Sequence, residues 1–191
     1  MSKSDLPFHY SDKRISDKME AALNEQMMTE AAQAQAYLAL GSWAEVNNYD
    51  GVSDFFYKHS AEERNHMFKF LEYINERGGE AKIGAIPAPR DNPSDLESCI
   101  EDIWQHELDN SRKIYALVDL ALEERDWATF NFLQWFVKEQ IEEEALIGDL
   151  RDKFSLASKE KQDNQNFYSF DRDMSHASQS GEIPREKSLD E

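Results

Sequence analysis

The stretch FVKEQIEEEAL, Phe136 to Leu146, decides how the chain folds. It carries Glu139, Gln140, Glu142, Glu143 and Glu144, and after Lys138 it holds no cation. A charge run of this kind is ordinarily the solvated face of a helix. In a helix, however, residues three, four and seven apart share a face. Phe132, Phe136, Ile147, Leu150 and Phe154 then form one apolar stripe, and Gln140 and Glu143 fall in its middle. The stretch therefore reads as a core helix with polar heads turned inward.

The same phase test gives the same answer elsewhere. Leu23, Met27, Ala34 and Tyr37 share a face with Glu30 at its centre. Phe56, Met67, Phe70 and Ile74 share one with Glu63, and His66 lies one turn on, at its edge. Ile100, Ile103, Ile114 and Val118 share one with Glu107. Each of four helical segments thus presents one carboxylate to the core near its own middle. Burying an ionised carboxylate without a partner costs several kcal/mol. Lys and Arg are absent from these stripes, so the compensating charge must come from outside the chain. A pair of metal ions supplies it most simply, and carboxylate oxygen with one imidazole suits iron or manganese. No single residue carries this reading. A lone Glu-x-x-His such as Glu63 to His66 is weak, and His59 and His106 read as structural and surface histidines.

The rest of the chain agrees. Its 191 residues suffice for one domain with a sizeable core. Seven Gly and five Pro are too few for the many turns of an all-β fold. The net charge of −18 argues against nucleic acid and anionic membrane as partners and favours cation attraction. Cys99 is the single cysteine, which excludes disulfides and a thiolate metal cluster. MSKSDLPFHY has no apolar leader core, and no apolar run is long enough for a membrane span, so the expected location is the cytoplasm.

The pattern predicts an all-α domain over 1–178, with helices at about 15–47, 52–77, 95–125 and 127–154 and a short fifth at about 164–177. A polar tail, 179–191, follows. The turn NNYDG separates the first two helices, and Gly78-Gly79 closes the second. Glu80 to Pro93, with three prolines, is a long extended connection. Ser94 and Glu97 form a capping-box pattern before the third helix, and Asp126 is placed to cap the fourth. Two helices, a long crossover and two more helices make a four-helix bundle with one long connection.

LNEQMMTE (23–30), AEERNHM (61–67), HELD (106–109) and FNFLQWFVKEQIEEE (130–144) resemble, in order and spacing, segments of the prokaryotic non-haem ferritins. The likeness covers roughly residues 13 to 175. It implies a ferroxidase and iron store. Glu30, Glu63 and His66 would hold one iron, with Glu63 bridging, and Glu107 and Glu143 the second. Tyr37 matches the tyrosine beside that site. Gln140 stands where many di-iron relatives have the glutamate of a Glu-x-x-His pair. Here the pair is Gln140-x-x-Glu143, which argues against a symmetric site and leaves open whether Gln140 ligates or only hydrogen-bonds. Glu62, Glu139 and Glu142, with Glu143, match a third iron site on the cavity side. Glu139 and Glu142, like charges three apart, repel by about a few tenths of a kcal/mol unless a cation lies between them. Glu144 has no such match and reads as solvent-facing.

The resemblance further implies Fe²⁺ and O₂, or H₂O₂, as substrates, no haem, and a hollow homo-oligomer of 24 subunits. Glu123, Glu124 and Asp126 are candidates for lining its pores. Competing readings are a di-iron oxidase or peroxidase that stores nothing, a miniature DNA-protecting ferritin, and a plain structural bundle. The absence of a Cys-x-x-Cys pair counts against a rubrerythrin-type oxidase, and the complete in-chain ligand set against a miniature ferritin.

Overall fold

The computed structural model describes residues 13–158 and 164–180. The leader reading of residues 1–10 and the tail from 181 onward lie outside them. The described residues form α1 (Asp17–Val46), α2 (Asp50–Glu76), α3 (Leu96–Glu124), α4 (Trp127–Ser158) and α5 (Asn164–Ser180), with no strand among them. α4 runs past Phe154 because the following Ser-Leu-Ala-Ser contains no helix breaker.

Helix ends are set by local chemistry. The Ser16 hydroxyl accepts the Met19 N–H and opens α1. The capping box of α3 lies one residue later than Ser94 and Glu97 suggested. Asp95 is the N-cap, its carboxylate accepting Ser98 N–H at 2.8 Å while Ser98 Oγ accepts the Asp95 N–H. Asp is a strong cap and Ser98 can reach back, so the motif is reciprocal without a Glu. At the start of α4, Asp126 accepts the Thr129 N–H at 3.1 Å. Gly78, at φ 77, ends α2, with Gly79 N–H donating to Ile74 O. That left-handed conformation favours glycine. Asn48 and Arg125 adopt it at the ends of α1 and α3.

α1 packs along α2 and α3 along α4, each pair antiparallel across a short turn, and α1 also meets α3. The strand-free connection over 79–93 carries the chain between the two hairpins. At roughly 3.3 Å per residue it reaches about 50 Å, enough to run the length of a 30-residue helix of about 45 Å. α5 packs across α2 and α4. It is tied down by Asp171, whose carboxylate accepts the Gly51 and Val52 N–H groups at 3.0 and 3.1 Å. Tyr49 gives α2 no side-chain cap, so α5 supplies it from outside the helix. Gly51 permits this approach, because a Cβ there would lie 1.8 Å from the Asp171 carbonyl oxygen.

Two apolar clusters fill the bundle. One holds Tyr37, Phe55, Phe56, Ile103, Ile147 and Phe154 and continues into α5 through Phe170 and Met174. The other holds Leu23, Met27, Phe70, Ile114, Leu133 and Phe136. Between them, on each helix in turn, lie positions 30, 63, 107 and 140–143. The carboxylates occupy a polar layer sandwiched between two hydrophobic ones.

Candidate metal centre

Glu30 and Glu107 are fully buried, and Glu63 and Glu143 are 3% and 8% exposed. Among the described residues no lysine or arginine pairs with any of the four; only His59 and His66 approach them. The His66 Nδ1 lies 3.2 Å from Glu63 Oε2 and 3.8 Å from Glu30 Oε2. Glu30, Glu63 and His66 thus converge closely enough to grip one ion. Glu30 Oε2 and Glu143 Oε2 are buried without any hydrogen-bond partner. An orphaned carboxylate oxygen at such depth is costly, and a cation is the partner that its chemistry lacks.

In the absence of a cation, protons take up part of this charge. Burial first, and the Glu30 charge second, hold Glu63 well above the ordinary carboxylate range. Burial pushes Glu30 up as well, but His66, Glu63 and the Gln26 amide bring it below its ordinary value. Burial works against a charged His66, yet Glu139, Glu30 and Glu63 together keep its proton affinity well above normal.

Glu107 is held differently. Tyr37 Oη donates to its Oε1 at 2.5 Å, and Gln140 Nε2 approaches its Oε2 at 3.4 Å. Burial, with the Glu143 and Glu30 charges, raises Glu107 to about 7 against these two donors. Tyr37 is itself pushed far above its usual value by burial and by Glu107, Glu63 and Glu143, so it remains a donor.

Three buried residues that the sequence reading passed over join the ligands. The Gln26 amide donates to Glu30 Oε1 at 2.6 Å and to Asn110 Oδ1 at 2.7 Å. Asn110 Nδ2 donates to Gln140 Oε1 at 3.3 Å, and Gln140 Nε2 turns to Glu107 and to Ser111 Oγ. A carboxylate can only accept, so the Glu30 end fixes the direction of every amide along this relay. The Gln140 oxygen is engaged by Asn110, and its NH₂ faces Glu107: Gln140 is a hydrogen-bond donor here. The available signal was position. Gln26 lies one turn before Glu30 and Asn110 one turn after Glu107, on the same inward faces.

The acids around the pair are divided. Glu139 Oε1 lies 3.7 Å from His66 Nε2. Glu62 is partly buried, 3.9 Å from both Lys58 and His59. Glu142 is exposed and pairs with Lys138 at 3.3 Å, turned away from the other three. Glu144 is half-buried rather than solvated, because Ser111 donates its hydroxyl to it across the α3–α4 contact. His106 is also half-buried, and burial and Arg90 lower its proton affinity. The proposed pore acids are engaged within their own chain. Glu124 accepts the Ser16 hydroxyl, Glu123 pairs with Lys18, and Asp126 faces Arg77. No helix among the described residues is long and apolar enough to cross a membrane.

Comparison with known proteins finds relatives along most of the chain. The ferritin-like domain family matches residues 20–157. A probable bacterial non-heme ferritin-like protein of Haemophilus influenzae is 36% identical over 164 residues, covering 86% of this chain and 98% of its own. A bacterial non-heme ferritin of Staphylococcus saprophyticus is 43% identical over 126 residues, 66% of this chain and 75% of its own. Among solved structures, an open-pore ferritin of the archaeon Archaeoglobus fulgidus superposes with a TM-score of 0.81 at 34% identity. It covers 85% of this chain and 98% of its own.

Proposed function

The chain belongs to the ferritin-like family, and on that premise we propose that it is an iron-storage ferritin with ferroxidase activity. It takes Fe²⁺ and O₂ as substrates, with H₂O₂ as a second oxidant, and deposits ferric mineral inside a cytoplasmic shell of 24 copies. The observation that carries this reading is the buried layer of four carboxylates with orphaned oxygens at Glu30 and Glu143 and, among the described residues, no lysine or arginine paired with it.

Glu30, Glu63 and His66 bind one ferrous ion, and Glu107 and Glu143 the second, with Glu63 placed between. Binding expels the protons held on Glu63, His66 and Glu107. Each ferrous ion then gives an electron to dioxygen. Carboxylate oxygen favours the ferric state and so makes that transfer more favourable. Tyr37 holds one oxygen of Glu107, leaving the other for the metal, and is a buried phenol able to supply a further electron. Gln140 steadies Glu107 as a donor. The polar layer is closed by apolar clusters on both sides, which keeps the site small and its electrostatics strong.

The test is Glu63→Ala in the full chain. Oxygen consumption on adding Fe²⁺ should lose its rapid phase while the particle keeps its size in solution scattering. A surviving rapid phase removes the assigned site, and a wild-type particle no larger than a dimer removes storage.

A further inference from the structure

Between α1, α3 and the crossover lies a cavity of about 440 Å³. Small-molecule sites span roughly 300–1,000 Å³. Met28 and Ala36 of α1 and Pro87 of the crossover give its wall an apolar part. Met28 Sδ accepts the Gly84 N–H at 3.5 Å, which sets the thioether against the crossover. Gln33 borders the same cavity and is 8% exposed, and its Oε1 is buried with no hydrogen-bond partner. An orphaned acceptor at that depth costs free energy that a donor seated in the cavity would recover. Asn110, in the same wall, is committed to Gln140 and Gln26 instead. The charge here runs against that of a chain at −18. Arg90 and Lys113 both line the cavity, and both depress the proton affinity of His106 beside them. Lys113 pairs with no carboxylate among the described residues and donates to Thr29 Oγ1 at 3.4 Å. Arg90 is exposed, with Asp102 3.7 Å away. Of the acids in the wall, Asp109 is held by Arg112, which leaves two cations against Glu25.

We propose that this cavity binds a small aromatic hydroxy acid, whose hydroxyl donates to Gln33 Oε1, whose carboxylate lies against Arg90 and Lys113, and whose ring packs on Met28 and Pro87. Each part of the ligand answers one feature of the wall. The unpartnered acceptor asks for a donor, the two cations ask for an anion, and a thioether beside a proline ring favours an aromatic face. A simple inorganic anion would leave Gln33 unsatisfied, and a neutral phenol would leave the cations without a partner. The inference does not rest on the ferroxidase reading, since none of these residues is an assigned iron ligand. Asn110 belongs both to this wall and to the amide relay, so the cavity neighbours the metal layer without sharing a ligand with it.

Calorimetry on the metal-free assembled protein tests it, with 4-hydroxybenzoate as the probe and benzoate and phenol as controls. 4-Hydroxybenzoate should bind once per chain with a Kd below about 1 mM. Benzoate lacks the donor and phenol lacks the carboxylate, so each should bind about tenfold more weakly. Gln33→Leu should lower the affinity for 4-hydroxybenzoate to that for benzoate and leave benzoate unchanged. Arg90→Gln should weaken both acids and leave phenol unchanged. An absence of saturable 4-hydroxybenzoate binding, or equal affinity for it in the wild type and Gln33→Leu, overturns the proposal. Should Gln33→Leu fail to assemble, a wild-type crystal soaked in 4-hydroxybenzoate decides. A ring between Met28 and Pro87 with its hydroxyl on Gln33 Oε1 supports the proposal, and a ring elsewhere or none refutes it. Probe binding to metal-free protein bears on this site alone, and the rapid oxidation phase of Glu63→Ala on the ferroxidase reading alone.

Discussion

Replacing Glu107 by Gln should stabilise the metal-free protein at alkaline pH and leave it almost unchanged in acid. The native carboxyl titrates at about 7 against an ordinary value of 4.5, chiefly because it is buried. A raised carboxyl favours the neutral form in the fold. Its contribution to stability is therefore fully present below about 4.5 and is lost as pH rises through about 7. The difference between those values corresponds to about 3 kcal/mol. Glutamine resembles the protonated acid, and its amide oxygen can still accept the Tyr37 hydroxyl. Glu63 is raised for the same reason, so the pH slope of the wild type alone mixes both groups. The variant-minus-wild-type difference isolates Glu107. The assay is urea unfolding at fixed protein concentration in a chelator, at pH 5 and pH 8. The variant should exceed the wild type by no more than about 1 kcal/mol at pH 5 and by up to about 3 kcal/mol at pH 8. Adding a divalent cation at pH 8 should reverse the order, because only the wild type gains a ligand charge. A gap that is the same at both pH values, or that favours the wild type in chelator at pH 8, refutes the reasoning.

Asn110→Leu should cost about 1–3 kcal/mol in urea unfolding, because Gln26 and Gln140 each lose a buried partner, and should slow iron oxidation by freeing Glu107 from its amide support. Asp171→Ala should speed hydrogen exchange at the Gly51 and Val52 amides at a cost of about 1 kcal/mol, and Gly51→Ala should displace α5 outright; unchanged exchange in either would remove the tie between α5 and α2. Cys99 is fully buried, with its thiol pushed up to about 12, so a thiol reagent should react with it in urea and not with the native protein at neutral pH.

The inward faces of all four long helices were legible because helical phase is a geometric property of spacing. Glu30, Glu63, Glu107 and Glu143 could be placed on the core side from neighbours such as Phe70 and Ile114 alone. The crossover was legible from its prolines, and the end of α2 from Gly78. Phase does not reveal which way a side chain turns once it is on a face. Glu142 and Glu143 are adjacent, yet Lys138 one turn back draws the first outward and His59 on α2 faces the second. Glu144 looked solvated because nothing on α4 explains it; its partner, Ser111, sits on α3. The cap of α2 was invisible for the same reason, since Asp171 lies about 120 residues away from Gly51.

The amide relay shows the limit most sharply. Gln26 and Asn110 read as ordinary polar residues near a helix face, and each taken separately is one. Their role arises because a carboxylate at one end forces the orientation of an amide, which forces the next. The order is Glu30, Gln26, Asn110, Gln140, Glu107, and it draws on α1, α3 and α4. Both ends are acceptors, so the direction of donation must reverse once along the chain; it does so at Gln26, whose NH₂ donates to Glu30 on one side and to Asn110 on the other, after which Asn110 and Gln140 each donate onward. The relay therefore ties a ligand of one ion to a ligand of the other without passing through either metal position. A protonated Glu107 would compete for the same Gln140 contact, so the relay is best satisfied when both terminal acids are ionised. That is the state the apolar clusters on either side oppose and a bound cation pair restores.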